Sequence, residues 1–506
     1  MNILMTLEMA AECHPDRVAA TCGEQSMTYG TLLKAARHAG AQIRASGCRH
    51  VGVLDINSLA APVALYAAAC AGLSYVPMNY RLTKPEIQAL LERITPAWLI
   101  ADPKLLDGVE VPAGFTVVDR EQFLRDALGA GGADPEPAQA DPDAVAVQLF
   151  TSGTTGAPKA AVLRHENLMS YILGTVEFGA ADEHDAVLVA VPPYHIAGIS
   201  AVLSSTYACR RMVQLSNFDG QSWLETCQRE KVTNAFVVPT MLSRVIEYID
   251  ASGADATLPA LRALAYGGGK MPAPVIERAM QLWPTVDFTN AYGLTETSST
   301  IALLDPEGHR EGFNSADPAV RKRLHSVGRP IDAVEIEIRD EDGKALPVDE
   351  VGDVFVRGGQ VAGEYLGIGS LLDANGWFPT RDRGYQDKYG FLYLDGRADD
   401  VIVRGGENIS PGEIEDVLRQ HPAIVDVAVV AIPDEEWGES VGAAVVTNPG
   451  VKIDEAALRA ELQGWVRERL RSSRVPAVIS FREHLPYNEM GKILRRVLRD
   501  ELSASA

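Results

Sequence analysis

The chain has 506 residues, of which 46% are hydrophobic and 23% are charged. A chain of this length exceeds what one hydrophobic core usually holds, so we expect a globular protein of at least two domains. The formal net charge of -22 argues against a general nucleic-acid binder and against a protein that binds anionic membranes.

The N-terminal stretch 1–12 predicts a short amphipathic helix and lacks the basic segment of a signal peptide. The apolar run 59–77 approaches the length of a membrane span, but Pro62, Gly72 and Ser74 interrupt it. We therefore expect a buried helix that passes into a strand, and no integral membrane span.

The cysteines form no CxxC pair and show no metal-ligand spacing, so we expect reduced thiols and a cytoplasmic protein. They are Cys13, Cys22, Cys48, Cys70, Cys209 and Cys227.

Apolar runs that predict strands alternate with stretches that predict helices, which is the pattern of layered α/β architecture. Many of these runs end in Gly, Pro, Ser or Thr loops, where open α/β sheets bind their ligands. The strand-like runs include AVAVQLF, AVLVAVP, AFVVP, LRALAYG and VEIEIRD, and the helix-like stretches include SWLETCQREK and APVIERAMQLW.

A domain boundary is expected at LDGRADD, a polar turn between two apolar runs. In the helix that follows, Ser410 is the expected N-cap, Pro411 the first helical residue and Glu413 the capping-box partner. We predict a large N-terminal domain of layered α/β subdomains at 1–394 and a small α+β domain at 395–506.

The loop LFTSGTTGAPKAAV, at 149–162, offers flexible backbone amides, small hydroxyls and one ammonium group, which together suit a phosphate. It differs from the GxxxxGK[ST] loop because two residues separate Gly156 from Lys159, and Ala160 takes the place of the hydroxyl residue. The alternative is an ordinary Gly/Ser/Thr turn between two elements.

Three later motifs share this chemistry. YGLTETSS places an aromatic ring, a hydroxyl and Glu296 close together. The ring suits base stacking, the hydroxyl suits phosphate contact and the carboxylate suits magnesium binding. The alternative is a strand end with a solvated carboxylate. GWFPTRDRG offers Asp382 to two ribose hydroxyls, or to a surface salt bridge with a neighbouring arginine. LPYNEMGKILRR places Lys492 at the start of a basic helix, where an isolated lysine is usually a surface charge.

Taken together and in this order, the motifs resemble the adenylate-forming superfamily of acyl-CoA synthetases, nonribosomal-peptide adenylation domains and luciferases, over nearly the whole chain. The resemblance implies that a carboxylate attacks the α-phosphate of ATP to give an acyl-adenylate and pyrophosphate, and that a thiol then displaces AMP. The implied cofactors are ATP, Mg²⁺ and coenzyme A. Donors and a metal must neutralise charge, because an anionic nucleophile approaches a polyanion.

The resemblance also assigns site residues. The β- and γ-phosphates are assigned to Thr151, Ser152, Gly153, Thr154, Thr155 and Lys159. The adenine slot is assigned to Gly268, Gly269, Asn290, Ala291 and Tyr292, with Tyr292 as the stacking ring. The implied catalytic set is Lys492, His195, Thr295 at the α-phosphate and Glu296 at magnesium, and the ribose is assigned to Asp382 and Arg397. Arg381 stands where the family usually has glycine.

In the family, the catalytic lysine leaves the site when the small domain rotates, which makes the predicted C-terminal domain mobile. The hinge is expected at Asp399. After rotation Gly405 and Gly406 would leave room for the pantetheine arm of CoA. Arg471 and Arg474 are candidates for its phosphates, with solvated helix charges as the equal alternative.

His195, in PPYHIAG, resembles the aromatic gate of acyl-CoA and aryl-CoA ligases, although a lone histidine is more often structural. Gly293 stands where acetate-activating relatives have tryptophan, so we expect an open tunnel for a larger acid. Lys270 points to solvent or recognises a polar group of the acid, and both alternatives stay open. The expected apolar lining is Ile196, Ala197, Ile199, Phe236 and Val238.

We therefore expect a cytoplasmic, AMP-forming acyl-CoA ligase for a medium- or long-chain fatty acid or an aromatic acid. Because the sequence printed here includes no carrier or reductase domain, free CoA is the expected acceptor. The partners are then small molecules and no nucleic acid, and a homodimer is left open. The alternatives are a stand-alone enzyme that loads an amino or aryl acid onto a carrier protein, and a silent nucleotide-binding regulator, which intact Lys492 and Glu296 disfavour.

Overall fold

The computed structural model describes residues 1–129, 131, 133–139, 141–151, 159–434, 436–448, 454–488 and 492–505. The described chain divides into two compact units. The first unit is Met1–Glu335 with Val356–Phe378, and the second is Ile336–Phe355 with Pro379–Ala506.

The helices are α1 (Leu4–Cys13), α2 (Tyr29–Ala45), α3 (Ala60–Ala71), α4 (Lys84–Arg93), α5 (Arg120–Gly129), α6 (His165–Thr175), α7 (Ile196–Tyr207), α8 (Gly220–Arg229), α9 (Pro239–Ser252), α10 (Ala273–Leu282), α11 (Pro306–Asn314), α12 (Pro318–Arg321), α13 (Pro411–Arg419), α14 (Glu455–Arg469) and α15 (Arg495–Ser505). Short 3₁₀ turns include Thr295–Thr297 and Ala398–Asp400.

The strands are β1 (Val18–Cys22), β2 (Gln25–Thr28), β3 (His50–Leu54), β4 (Ser74–Pro77), β5 (Ala97–Ala101), β6 (Thr116–Val118), β7 (Val145–Thr151), β8 (Lys159–Arg164), β9 (Ala186–Val189), β10 (Arg211–Gln214), β11 (Asn234–Val237), β12 (Ala263–Gly267), β13 (Asp287–Leu294), β14 (Ser299–Leu304), β15 (Arg329–Pro330), β16 (Val334–Arg339), β17 (Gly352–Gly358), β18 (Glu364–Tyr365), β19 (Gly369–Ser370), β20 (Phe378–Gln386), β21 (Leu392–Arg397), β22 (Ile402–Arg404), β23 (Glu407–Ile409), β24 (Ile424–Asp434), β25 (Gly438–Thr447) and β26 (Val478–Arg482).

The first unit contains two sheets. One has the strand order β15-β14-β13-β12-β11-β9-β10-β1-β2, and the other has the order β19-β18-β8-β7-β4-β3-β5-β6. The centre of each sheet is parallel, because helices connect successive strands across its faces. Helix α3 is buried along its whole length, as an alanine-rich helix without a polar face must be.

The second unit builds its core on a hairpin. Strands β24 and β25 pair in antiparallel fashion, and β26 adds to β25 in parallel. Helices α13 and α14 cover one face of this sheet with Ile414, Leu418 and Leu462, all buried. A further sheet has the order β16-β17-β20-β21 and lies mostly in this unit.

The expected fold class is confirmed: the chain is α/β, with a large N-terminal unit of layered sheets and a small C-terminal unit of mixed α+β structure. The division falls at 378/379 and also moves Ile336–Phe355 into the second unit. The predicted domain boundary at 394/395 stays a prediction.

Two local expectations about secondary structure are also confirmed. The run 59–77 forms a buried helix followed by a strand, and 1–12 contributes most of α1. Within the described part of the chain, no helix has both the length and the apolar character needed to cross a membrane. All of the cysteines are free thiols.

The predicted capping box at α13 is wrong. Ser410 occupies the N-cap position, but its hydroxyl donates to the carbonyl oxygen of Asp395 at 2.7 Å. Glu413 lies 3.3 Å from Arg474. A long-range carbonyl and a cation have therefore replaced the local reciprocal bonds.

Candidate active site

Neighbouring parallel strands of the first sheet end at one edge, where ligands of α/β sheets usually bind. Strand β11 pairs with β9 and with β12, and β12 pairs with β13, all in parallel. The predicted residues at this edge are His195, Ile196, Ala197 and Ile199 after β9, Phe236 and Val238 at the end of β11, Gly268 and Gly269 after β12, and Asn290, Ala291, Tyr292 and Gly293 in β13.

The last residue of β12 brings two of these groups into contact. A Cβ atom added to Gly267 would lie 2.2 Å from the carbonyl oxygen of Ala291 and 3.6 Å from the Phe236 ring. Glycine is therefore required here, because any side chain would overlap the neighbouring backbone. The predicted acyl residue Phe236 thus lies beside the backbone of the predicted adenine slot.

The predicted adenine residues differ in exposure. Gly268 and Gly269 are exposed, and Gly268 has a φ of 82°, which favours glycine. Asn290 is buried and donates from Nδ2 to the carbonyl oxygen of Ser326 at 3.1 Å. Tyr292 is 9% exposed, so most of the residue is covered by protein.

A buried pair behind this edge escaped the sequence analysis. The Tyr266 hydroxyl lies 2.8 Å from Nε2 of His309, whose Nδ1 lies 2.9 Å from the carbonyl oxygen of Asp305. Since a carbonyl only accepts, Nδ1 donates and Nε2 accepts from tyrosine. Burial lowers the pKa of His309 to about 4, so the imidazole is neutral.

Glu296 is half-buried and lies in the 3₁₀ turn Thr295–Thr297, which also places the half-buried Thr295 at this edge. The Tyr365 hydroxyl donates to Oε1 of Glu296. The backbone oxygen of Glu296 accepts from Ala362 at 2.9 Å and from Gly363 at 3.1 Å. The carboxylate predicted to bind magnesium is therefore fixed by a segment that the sequence analysis did not select.

The turn after Glu296 is strained and well supported. Ser298 and Ser299 have φ values of 56° and 131°, which non-glycine residues rarely adopt. Buried Gln360 donates from Nε2 to the carbonyl oxygens of Thr297 at 3.0 Å and Thr300 at 2.8 Å. These bonds hold the backbone of the turn that follows Glu296 in place.

The second sheet presents the two ends of the predicted phosphate loop. Thr151 and Lys159 are paired across β7 and β8, and the Thr151 hydroxyl donates to the carbonyl oxygen of Lys159 at 3.3 Å. Nζ of Lys159 lies 5.7 Å from the centre of the Tyr365 ring. Tyr365 therefore contacts both the predicted phosphate lysine and the predicted magnesium carboxylate. The other predicted residues of the loop, Ser152, Gly153, Thr154 and Thr155, lie outside the described residues.

The structure gives Gly293 a different explanation from the one expected. A Cβ atom at Gly293 would lie 1.9 Å from the carbonyl oxygen of Ser299. Glycine is thus needed for the irregular pairing of β13 with β14, whatever the size of the acid. Its place in the acyl pocket stays a prediction.

His195 belongs to a row of aromatic rings. Its ring centre lies 4.4 Å from that of Tyr194, and Tyr194 packs edge-on against Tyr80 at 5.4 Å. Ile199 and Val238 are buried, whereas His195, Ile196, Ala197 and Phe236 are half-buried. Lys270 is exposed, which fits both of its sequence-based interpretations.

In the second unit, the two predicted ribose residues come together. Asp382 is buried opposite Arg397 on β20 and β21, with 3.6 Å between Oδ1 and Nε. The backbone N–H of Asp382 donates to the Thr380 hydroxyl at 3.1 Å. The flanking arginines pair elsewhere, Arg381 with Asp399 and Arg383 with Asp353. The ion pair with a neighbouring arginine that was expected as the alternative is thus replaced by a pair between the buried Asp382 and the partly exposed Arg397.

The predicted pantetheine glycines lie in a tight turn. Gly405 and Gly406 are exposed, with φ values of 56° and 81°. Nearby, Arg474 pairs with Glu407 and Glu413 and its side chain is 13% exposed. The interpretation of Arg474 as a solvated helix charge does not fit this environment, and its contact with the CoA phosphates stays a prediction.

Arg471 and Lys492 are more accessible. The Arg471 side chain is 83% exposed and lies 3.8 Å from Glu407. Lys492 is exposed, and its backbone N–H donates to Oδ1 of Asn488 at 2.8 Å. The exposed Asp399 lies in the 3₁₀ turn between β21 and β22.

The residues present fit a magnesium ion held mainly by substrate. In the described ranges, no cluster of three or more His, Cys, Asp or Glu side chains could hold a metal alone. Magnesium typically binds one or two carboxylates together with substrate phosphates. A single fixed carboxylate, Glu296, near a lysine predicted to bind phosphates is such an arrangement.

Comparison with known proteins gives matches along nearly the whole chain. Residues 7–366 match the family described as AMP-binding enzyme, and residues 413–492 match the AMP-binding enzyme C-terminal domain. A fatty acid–[acyl-carrier-protein] ligase of Streptomyces coeruleorubidus is 30% identical, with 99% of this chain and 96% of that protein covered. A 2-succinylbenzoate–CoA ligase of Bacillus licheniformis is 32% identical, with 97% and 98% covered.

A solved structure agrees with these matches. The o-succinylbenzoate CoA synthetase of Bacillus subtilis, in complex with an acyl-adenylate intermediate, is 28% identical. It covers 99% of this chain and 98% of its own, with a TM-score of 0.82.

Proposed function

The chain belongs to the AMP-binding enzyme family, and from this premise we propose that it is an ATP-dependent, AMP-forming acyl-CoA ligase. In the first step, a carboxylate oxygen of the acid bonds to the α-phosphorus of ATP and pyrophosphate leaves. In the second step, the sulfur of CoA bonds to the acyl carbon, the thiol proton is lost and AMP leaves. The substrates are the acid, ATP and CoA.

The observation that carries this proposal is the contact of Tyr365 with both Lys159 and Glu296. Tyr365 brings Lys159, which is predicted to bind phosphates, close to Glu296, which is predicted to bind a metal. The 3₁₀ turn that contains Glu296 directly follows β13, the strand that carries part of the predicted adenine slot. Magnesium bound there would neutralise phosphate charge and so ease attack by an anionic carboxylate.

We assign the remaining roles to residues of this chain. Thr151 and Lys159 contact the terminal phosphates, Tyr292 stacks on adenine, and Asp382 with Arg397 holds the ribose. The pairing of the buried Asp382 with Arg397 supports the last assignment, because it fixes the orientation of the carboxylate. Lys492 acts on the carboxylate and the α-phosphate during adenylation.

The acid is larger than acetate and enters past His195 into a lining that includes Phe236 and Ile199. The half-buried His195 ring and its packing on Tyr194 support a gate that can shift without unfolding α7. We propose a fatty or aromatic acid, since relatives named for both classes match the full length of the chain.

Two further assignments belong to this proposal. The free cysteines and the use of ATP and CoA support a cytoplasmic location. A homodimer stays a prediction, which light scattering of the purified chain would test.

The test is a pyrophosphate-exchange assay with panels of fatty, aromatic and amino acids, followed by thioester detection with CoA or a carrier protein. We expect exchange with a fatty or aromatic acid and thioester formation on free CoA. Thioester formation on a carrier protein but not on CoA would replace the proposed acceptor. No exchange with any acid would overturn the proposed activity.

A further inference from the structure

The described segments 486–488 and 492–494, which flank the turn that carries Lys492, are joined by backbone hydrogen bonds although the lysine side chain is exposed. The N–H of Asn488 donates to the carbonyl oxygen of Lys492 at 2.8 Å, and the N–H of Leu494 donates to that of Pro486 at 2.8 Å. On one arm of this turn, the Tyr487 hydroxyl donates to Oδ2 of Asp426. The position of Lys492 therefore depends on the contacts that anchor the two arms of the turn, 486–488 and 492–494.

The other arm is anchored by Arg495, the first residue of α15 and three positions after Lys492. Its Nη1 donates to Oε1 of Glu415 at 2.6 Å and to the carbonyl oxygen of Val429. Its Nε lies 3.3 Å from Oδ2 of Asp400. One guanidinium therefore joins three separate segments of the second unit.

The anchor on the Glu415 side is rigid. The Glu415 side chain is 5% exposed, and its Oε1 also accepts from the backbone N–H of Val429 at 2.8 Å. Arg419, one turn further along α13, lies 3.6 Å from its other oxygen. A planar guanidinium held on such an acceptor has little freedom, so its remaining edge is directed at Asp400.

Asp400 is the residue that follows Asp399, the expected hinge, and it ends the 3₁₀ turn between β21 and β22. Its side chain is 27% exposed, so its contact with Arg495 is only partly screened by water. The Tyr487–Asp426 anchor on the opposite arm lies on β24 and does not involve the residue after the hinge.

We propose that Arg495 is a positioning residue for Lys492, which it links to the residue next to the hinge. This inference rests on the proposed function. Through this link, a change of backbone angle at Asp399 moves Asp400 and the lysine turn together, and Lys492 reaches the reacting groups in one defined position. The turn that carries Gly405 and Gly406 follows Asp400 along the chain and does not need the link, so only adenylation depends on it.

The first test replaces Asp400 by asparagine. Asp400→Asn removes the charge at the hinge but leaves Arg495 paired with Glu415, so no buried charge loses its partner. We expect the adenylation kcat to fall by about 10-fold or more, the KM for ATP to stay within about 3-fold, and thioester formation from supplied acyl-adenylate to stay within about 2-fold. Arg495→Lys, which retains a charge but cannot span both carboxylates, should show the same selective loss.

A double-mutant cycle separates positioning from a structural effect. If Asp400 acts through Lys492, then Asp400→Asn should change the residual adenylation rate of Lys492→Ala by less than about 2-fold. Arg482→Met is the matched control, because Arg482 pairs with Glu501 on the same helix α15 but has no link to the hinge. It should keep both half-reactions within about 2-fold of wild type.

Two results would overturn the inference while leaving the proposed function standing. One is wild-type adenylation by Asp400→Asn in an enzyme whose Lys492→Ala variant is impaired. The other is an equal loss from Asp400→Asn with and without Lys492. A wild-type chain that activates no acid would instead remove the proposed function, and the inference with it.

Discussion

Arg381 lies 3.6 Å from Asp399, measured from Nη1 to Oδ2, and adopts a φ of 61°. The glycine usual at this place in the family is therefore explained by backbone conformation, since glycine adopts such a φ without strain. This chain keeps the conformation with a side chain that reaches the expected hinge. Compared with glycine, Arg381 adds backbone strain but forms an ion pair with Asp399.

Arg381→Gly and Arg381→Ala should separate these two effects. Both variants lose the ion pair, but only alanine retains the strain, so the glycine variant should be more stable than the alanine variant by about 1 kcal/mol. Urea unfolding of the two variants measures the difference. An alanine variant as stable as the glycine variant would show that the backbone at 381 is relaxed. The ion pair itself is half-exposed, so its contribution should fall with added salt.

Glu296→Gln should weaken magnesium-dependent adenylation, because a neutral amide cannot match a carboxylate at the metal. Tyr365→Phe removes the hydroxyl that holds Glu296 and should give a smaller loss of the same kind. Pyrophosphate exchange as a function of magnesium concentration is the measurement. The role of Glu296 is lost if its glutamine variant exchanges at the wild-type rate with the wild-type magnesium requirement.

Gly293→Ala should reduce stability and should not shift the preferred chain length. The added Cβ would meet the carbonyl oxygen of Ser299 at 1.9 Å, so β13 and β14 must separate, at a cost of about 2 kcal/mol or more. We expect adenylation of all acids to fall together. Gly464→Ala is the control, because space is open around Gly464 in helix α14, and alanine there should slightly stabilise the chain. A variant of normal stability that prefers shorter acids would restore the explanation from tunnel size.

The sequence predicts the elements that depend on local pattern. The buried helix and strand at 59–77 follow from apolar length and interrupting residues, and the strand at Phe236 follows from α/β alternation. The assignment of Phe236 and Tyr292 to the site came from the family resemblance. Tyr365 and Arg495 were missed because their importance comes from partners far along the chain. Tyr365 meets Glu296 across 69 positions and Arg495 meets Glu415 across 80, and neither contact leaves a periodic signal.

Local rules also fail where a distant group offers a stronger partner. Ser410 and Glu413 have the spacing of a capping box, but the carbonyl of Asp395 and the Arg474 guanidinium compete for them. The sequence also does not show why a position is occupied by glycine. Gly293 fits a family position associated with pocket size, yet the structure requires glycine there for backbone spacing.

Acid should destabilise the first unit through His309. Burial lowers the pKa of this imidazole from 6.5 to about 4, so between these values the unfolded chain binds the proton and the folded chain does not. The stability contribution is therefore complete above about pH 6.5 and is lost as pH falls towards 4, by about 3 kcal/mol. Protonation also removes the acceptor for Tyr266.

His309→Gln provides the comparison, because glutamine stays neutral over this range while the other titrating groups are unchanged. The free energy of unfolding of wild type relative to this variant should fall by about 3 kcal/mol between pH 7 and pH 4. Parallel stability curves for the two proteins across this range would show that His309 does not titrate as its burial requires.

Lys492→Ala should separate the two half-reactions. The Lys492 side chain is exposed, and in the proposed mechanism its charge is shared by the attacking carboxylate and the α-phosphate only during adenylation. Its removal should cost about 3 kcal/mol or more of transition-state stabilisation in that step. Supplied acyl-adenylate should still be converted to thioester at close to the wild-type rate, because that step uses the rotated orientation.

Asp399→Pro should instead slow thioester formation and leave adenylation close to the wild-type rate, since proline fixes φ at the expected hinge. Single-turnover measurement of each half-reaction, with the fold checked by circular dichroism, shows which half-reaction each variant loses. If Lys492→Ala loses both half-reactions equally while folded, a two-orientation mechanism does not apply to this protein.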